Sequence, residues 1–419
     1  MQKKVIALAV AALASSAAMA QSNVTIYGLI DMSAQQYKSS GSGTNYKLNS
    51  LGGTNSSNGT GALNGSRIGF KGTEDLGNGL SALFNVEYGI SLSGAEADSS
   101  ANGAAIANAS TGTGLGAMRT GIVGLTSATL GTVVAGTMYS PIDPTSGFAA
   151  GTQAHGGTNG GVGAASLLKT AQFARLTNAV AYITPTYSGF RAAVGYNFAD
   201  STRPNTGANN VANNYGYVAA LDYQNGPIKA GYAYEKVNNT NLGTDFRPVN
   251  FVGGAAGVAA TVANVGGVPT AVAAVAANNA NDLNAGAAFN KSTDATYHVF
   301  GGQYDFGVVN VGFNQARAQA KADDGTADFK SVQNSISAKA PITAKASIAA
   351  AYTHGTMKLN GGKIATDSGY DLYAFYDLSK RTNVYALYSH SNVDTDNAAS
   401  LLATNIKSTQ YGLGLRHSF

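Results

Sequence analysis

The chain has 419 residues, with 26 basic against 22 acidic side chains, no cysteine and no tryptophan. Disulfides and thiolate metal sites are therefore excluded, and a formal charge of +4 is far too small for an electrostatic binder of nucleic acid. Charged residues make up only 11%, while Gly numbers 53 and Tyr 22, whereas a water-facing surface carries roughly a quarter to a third charged residues.

The chain opens with the basic start Met1-Gln2-Lys3-Lys4, an apolar stretch over 5–14 and the small-x-small triplet Ala18-Met19-Ala20. This predicts a signal peptide over 1–20 and a mature chain, 21–419, beginning at Gln21. The apolar stretch is too short and too rich in small residues for a retained spanning helix. Period-two alternation then predicts strands over 23–31, 66–74, 80–90, 119–125, 132–140, 179–187, 190–198, 215–223 and 227–237. Further strands are predicted over 295–305, 308–318, 331–339, 345–357, 371–377, 383–390 and 410–419. Between the two sets lies an uncharged Ala/Val/Gly stretch over 251–277, broken by Gly253-Gly254, Gly266-Gly267 and Pro269. Those breaks and its few large apolar residues make the stretch a weak spanning helix, and about 250–291 is expected to be a long low-complexity surface loop.

Sixteen strands result, joined alternately by short turns and by connections of about twelve to more than fifty residues. Segregated loop lengths, strands of about nine to eleven residues and an even strand number are features of an outer-membrane barrel. The fold class expected is all-β: a 16-stranded antiparallel transmembrane β-barrel with long extracellular loops and short periplasmic turns. The C-terminus agrees. Tyr411, Leu413, Leu415, His417 and Phe419 alternate with Gly412, Gly414, Arg416 and Ser418, ending the chain on a strand. A soluble sheet would leave an open edge there, whereas a barrel closes it against the first strand. Within 190–198, Phe190, Ala192, Val194, Tyr196 and Phe198 are expected to face lipid, and Arg191, Ala193, Gly195 and Asn197 the lumen. Small and polar inward side chains cannot fill so wide an interior, which is then water-filled unless a loop plugs it.

Gly65-Ser66-Arg67-Ile68-Gly69-Phe70-Lys71-Gly72-Thr73-Glu74-Asp75-Leu76-Gly77-Asn78-Gly79 closely resembles the second strand and turn of the neisserial and other β-proteobacterial (Burkholderia-type) trimeric general porins of Gram-negative outer membranes. Asn23-Val24-Thr25-Ile26-Tyr27-Gly28, Leu378-Ser379-Lys380-Arg381-Thr382 and Gly414-Leu415-Arg416-His417-Ser418-Phe419 resemble the same family's first strand, late turn and C-terminus. The resemblance implies a homotrimer in which each barrel holds its own pore, narrowed by an inward-folded third loop. That loop is here about 141–169, carrying Asp143 and following Tyr139. The family's wall arginines fall on Arg67, Arg119 and Arg175, and the constriction set is completed by Lys71 and Asp31. Many relatives have an arginine where this chain has Thr137, so a weaker positive field is expected.

The function implied is passive diffusion of small hydrophilic solutes, with a modest preference for anions set by the charged narrowing. Tyr411, Leu413, Leu415, His417 and Phe419 are the expected signal to the barrel-assembly machinery. The other partners expected are outer-membrane lipid and lipopolysaccharide. A substrate-specific channel is the alternative that Tyr139 near the narrowing leaves open, and a surface-binding role for 250–291 is a further one. An enzyme is not expected. His155, His298, His354, His390 and His417 form no nucleophile–base constellation, no metal-ligand spacing occurs, and no cofactor is called for.

Overall fold

The computed structural model describes residues 23–39, 43–49, 64–92, 114–141, 175–198, 215–241, 262–265, 268–271, 292–323, 325, 328–395 and 405–419. Every regular element among these is a strand. In chain order they are β1 (Asn23–Ser39), β2 (Gly43–Asn49), β3 (Arg67–Gly77), β4 (Leu80–Ser91), β5 (Gly114–Ser127), β6 (Gly131–Tyr139), β7 (Arg175–Ile183), β8 (Phe190–Asn197), β9 (Tyr215–Asn225) and β10 (Ile228–Asn241). There follow β11 (Val262–Val265), β12 (Val268–Ala271), β13 (Ser292–Asp305), β14 (Asn310–Ala322), β15 (Asp328–Pro341), β16 (Ala346–Leu359), β17 (Gly362–Asp377), β18 (Thr382–Thr395) and β19 (Asn405–Ser418).

Sixteen of these strands pair antiparallel, each with its neighbours in sequence, and β19 returns to β1 with Asp31 opposite Arg416. The closed meander satisfies the backbone without leaving a sheet edge, which an apolar membrane interior requires. The ladder continues through the terminal residue, because Gly28 and Phe419 exchange both backbone hydrogen bonds at 3.1 Å. The Phe419 ring lies across Gly28, where a Cβ would stand 2.2 Å from its Cζ. Three elements lie outside the closed ring: β2 pairs with the far half of β1, and β11 with β12.

Alternation sorts the side chains. Val24, Ile26, Val123, Val194, Leu221, Ile336, Leu413 and Leu415 are exposed on the outer surface. Such an apolar surface belongs against lipid, not water. The buried side chains lie on the other face and include Val237, Ala295, Tyr297, Ala320, Phe329 and Met357. Phe190, Val194, Tyr196 and Phe198 are exposed, whereas Ala193 and Asn197 are buried.

The strands run longer than the nine to eleven residues expected, up to 17 in β1 and 16 in β17. Two connections expected to be long are short. Asn360 and Gly361 adopt φ of 49° and 83°, closing β16 onto β17 as a hairpin with both central residues left-handed. Only 323–327 separate β14 from β15. The strand expected over 179–187 instead spans Arg175–Ile183, and the segment after it contains Pro185, which has no N–H for a ladder. The signal peptide 1–20, the loop 141–169 beyond Pro141, and most of 250–291 lie outside the described residues.

Candidate functional site

The inner wall at β1 and β3–β7 carries a cluster of basic groups and tyrosines beside the Glu87 carboxylate. On β4, Phe84, Val86 and Tyr88 point outward, which turns Asn85 and Glu87 into the lumen side. Glu87 is buried, and its Oε1 accepts from Arg119 Nε at 2.9 Å. Its Oε2 accepts from the Tyr27 hydroxyl at 3.0 Å and lies 3.8 Å from Arg67 Nε. Tyr27 packs its ring over Gly69, where a Cβ would come within 2.3 Å of it, and Lys71 Nζ sits 5.2 Å above the same ring. Arg119 donates from NH2 to the Tyr139 hydroxyl at 2.7 Å, and the Arg175 guanidinium lies 5.0 Å from the Tyr139 ring. Arg67, Lys71, Arg119, Arg175, Tyr139 and Tyr27 are thus gathered on Glu87 and its neighbours.

Local irregularity makes this gathering possible. The β4–β5 register shifts between Glu87 and Tyr88, inserting Arg119 as an extra residue. The β6–β7 register shifts between Gly136 and Met138, with Asn178 at φ of 49°. Such bulges re-aim neighbouring side chains. Gly136 holds φ of 126°, and a Cβ there would meet the Gly121 carbonyl oxygen at 2.0 Å, so no larger residue fits. Exposure divides the cations into two ranks. Arg119 and Arg175 are buried, whereas Arg67 is partly exposed and Lys71 exposed. Arg67 and Lys71 therefore stand foremost on this wall, with Arg119 and Arg175 behind them.

Asp31 stands apart from this cluster. It is fully buried, accepting from the Tyr385 hydroxyl at 2.7 Å and from the Asn64 backbone at 2.8 Å. Arg416 donates to Asn64 Oδ1 at 2.7 Å, so Asp31 ties the start of β3 to β18 and β19. Asp143 lies outside the described residues. Ser140, just beyond β6, is fully buried and donates to Glu235 Oε2 at 2.9 Å. Glu235 sits between the buried Ala233 and Val237 on the inward face of β10. Ser140 therefore turns to the interior, its hydroxyl linking the end of β6 to β10. Arg191 also faces inward, but Asp222 holds it by two hydrogen bonds of 3.0 and 3.3 Å.

Glu87 was not among the expected site residues, although its inward position is legible from the alternation Phe84–Asn85–Val86–Glu87–Tyr88. Tyr411, Leu413 and Leu415 are exposed on the outer face of β19, His417 contacts the Thr382 hydroxyl at 2.8 Å, and Phe419 closes the ladder.

A closed sixteen-stranded barrel with a lipid-facing apolar surface and a basic cluster on its inner wall is the architecture of an outer-membrane channel. The sequence places it more narrowly: residues 7–268 and 250–396 match the Gram-negative porin family, and the chain belongs to that family. It is an outer-membrane porin. It is 29% identical to an outer membrane porin protein of Bordetella pertussis over the full length of both chains. It is 34% identical to outer membrane porin protein 32 of Delftia acidovorans, over 58% of this chain and 63% of that one. Among solved structures, the anion-selective porin of Comamonas acidovorans shares the fold with a TM-score of 0.62 at 21% identity, covering 95% of this chain and all of that one.

Proposed function

We propose that this porin conducts small hydrophilic solutes with a modest preference for anions, set by the cluster around Glu87. The observation that carries the reading is a gathering of cations: Arg67 and Arg119 share the Glu87 carboxylate, while Lys71 and Arg175 lie against the Tyr27 and Tyr139 rings beside it. Low-dielectric walls around a narrow aqueous path concentrate such a field. The loop 141–169 narrows the path from the other side, with Asp143 as its opposing charge. The inward course of the chain at Ser140 supports this assignment. Three such barrels form a homotrimer, as the trimer form of the similarly folded OmpT of Vibrio cholerae does. The chain is exported by its signal peptide 1–20, and the apolar face of β19 serves as the assembly signal.

The test is the reversal potential of the mature protein across a KCl gradient in a planar bilayer, compared with an Arg67→Gln/Lys71→Gln variant. An anion-directed potential in the parent that falls toward zero in the variant is the expected result. A potential unchanged by the double substitution would remove the cluster from control of selectivity. Conductance blocked by one solute alone would favour the substrate-specific channel.

A further inference from the structure

Opposite charges on the inner wall are held in two ways. Arg191 on β8 and Asp222 on β9 stand in direct register and close on each other through hydrogen bonds of 3.0 and 3.3 Å. On β17 and β19 an intervening strand keeps the charges apart. Asp377 stands in register with Asn383, and Asn383 with Arg416, so carboxylate and guanidinium share one row with an uncharged residue between them. Two strand spacings of about 4.8 Å set their Cα atoms about 10 Å apart. The buried Tyr373, Phe375, Tyr385 and Leu387 hold the next inward positions along β17 and β18, which puts this row on the lumen side. Asp377 ends β17, so the row lies at the short-turn end of the barrel.

Neither charge of the row is neutralised in place. Asp377 is exposed, and its carboxylate makes no hydrogen bond or salt bridge among the described residues. Arg416 is partly exposed and reaches the other way, toward β1, where NH1 donates to Asn64 Oδ1 at 2.7 Å. That contact uses one of the five donors a guanidinium carries. Asp31, opposite Arg416 in register, is already held by the Tyr385 hydroxyl and the Asn64 N–H. Lys339 brings a second cation. Its ammonium lies 5.1 Å from the centroid of the Phe375 ring, within electrostatic reach of both Arg416 and Asp377. Two cations and one carboxylate thus stand together on the wall with no salt bridge among them.

We propose that Asp377, Arg416 and Lys339 form a subsite for small zwitterions, solutes that carry an ammonium and a carboxylate a few bonds apart. The ammonium donates to Asp377, and the carboxylate accepts from Arg416 and Lys339. Charge excludes the neighbouring classes. A dicarboxylate would set its second anionic group against Asp377, and a diamine its second cation against Arg416 and Lys339. Exposed ion pairs are weak, so the solute leaves readily, as a conducting pore requires. The inference rests on the aqueous lumen of the porin and is independent of the cluster around Glu87.

The experiment records single-channel current of the mature protein in a planar bilayer in KCl while γ-aminobutyrate is titrated on each side in turn. Its N-acetyl analogue lacks the ammonium, and its carboxamide analogue lacks the carboxylate. The zwitterion is expected to reduce the current saturably, at lower concentration than either analogue. Asp377→Asn and Arg416→Gln should each raise the half-blocking concentration about fivefold, the loss of one exposed charge pair. Arg416→Lys keeps the cation and should restore the block. Equal block by the two analogues, or an unchanged half-blocking concentration in Asp377→Asn, would overturn the proposal. A loss in Arg416→Gln that Arg416→Lys does not restore would also overturn it, in favour of a structural role for the Asn64 contact. Conductance and reversal potential without the zwitterion test the porin reading separately. A channel that conducts and selects as expected but ignores the zwitterion sinks the subsite alone.

Discussion

The wall from β3 to β7 and the wall from β13 to β18 are built on the same alternation, yet they differ in regularity. On the first, the register shifts between Asp75 and Gly77, at Glu87 and Tyr88, and between Gly136 and Met138. On the second, β13 pairs with β14 from Thr293↔Ala322 to Asp305↔Asn310 without a break. β17 pairs with β18 from Ala365↔Thr395 to Asp377↔Asn383 equally cleanly, and the shift on this wall lies at the outer end of the β16–β17 pairing, between Met357 and Lys358. The irregular wall carries the basic cluster, and the regular wall carries buried apolar side chains inside and lipid-facing ones outside. A ladder alone fixes a face every second residue. Converging Arg119, Arg175 and Tyr139 from three strands requires bulges, and the shifts at Glu87 and at Gly136 fall where the charges meet.

The sharpest way to break this comparison is at Glu87, the carboxylate that the irregular wall converges on. In Glu87→Gln the buried Arg119 and the nearby Arg67 lose their shared counter-charge. Removing one member of a buried pair is strongly destabilising, by about 3 kcal/mol or more. We expect a lower thermal midpoint for the folded barrel together with a larger anion-directed reversal potential, since one negative charge is gone. A variant as stable as the parent would mean that the bulges, and not Glu87, hold the arginines in place.

The seam between the two walls is the next test. Gly28 stands opposite the C-terminal residue, and a Cβ there would meet Phe419 Cζ at 2.2 Å and the Arg67 carbonyl oxygen at 2.8 Å. Gly28→Val should cost about 1–3 kcal/mol through overpacking, read as slower refolding and a lower denaturation midpoint. Part of the clash is with the ring and part with backbone. Combining Gly28→Val with Phe419→Ala should therefore be less damaging than the sum of the two single changes. Strict additivity would show that ring and glycine do not act on one another.

How far each wall was legible follows from the same contrast. The number of strands, the closure of β19 on β1, and the inward face of Arg67 and Lys71 follow from alternation and turn residues, which are local. The partnership of Glu87 with Arg119 was not legible. It depends on a register shift across two strands far apart in sequence, and alternation within one strand carries no trace of it. The length of the regular wall is a different case. Asn360-Gly361 is a strong hairpin signal, but the residues beyond it were read as a long loop because the apolar alternation fades there. The shortfall lies on β17, which begins at Gly362 and not at 371: the outward residues before Tyr370 are Thr366 and Ser368, suited to headgroups and water, so the strand begins before hydrophobic alternation does.

The smallest effect is expected at that hairpin, on the regular wall. Gly361 adopts φ of 83°, and a Cβ added there would meet nothing within 4 Å, so Gly361→Ala tests backbone strain alone. A left-handed position occupied by alanine costs about 1 kcal/mol, with conductance and selectivity unchanged. Gly307, at φ of 80° on the opposite rim and equally open, provides the internal standard. Equal losses at the two glycines would make the β16–β17 hairpin as firm a part of the ladder as the turn between β13 and β14. A negligible loss at Gly361 beside a full one at Gly307 would show that the outer ends of β16 and β17 fray without consequence, and that the regular wall is structurally committed only as far as the membrane requires.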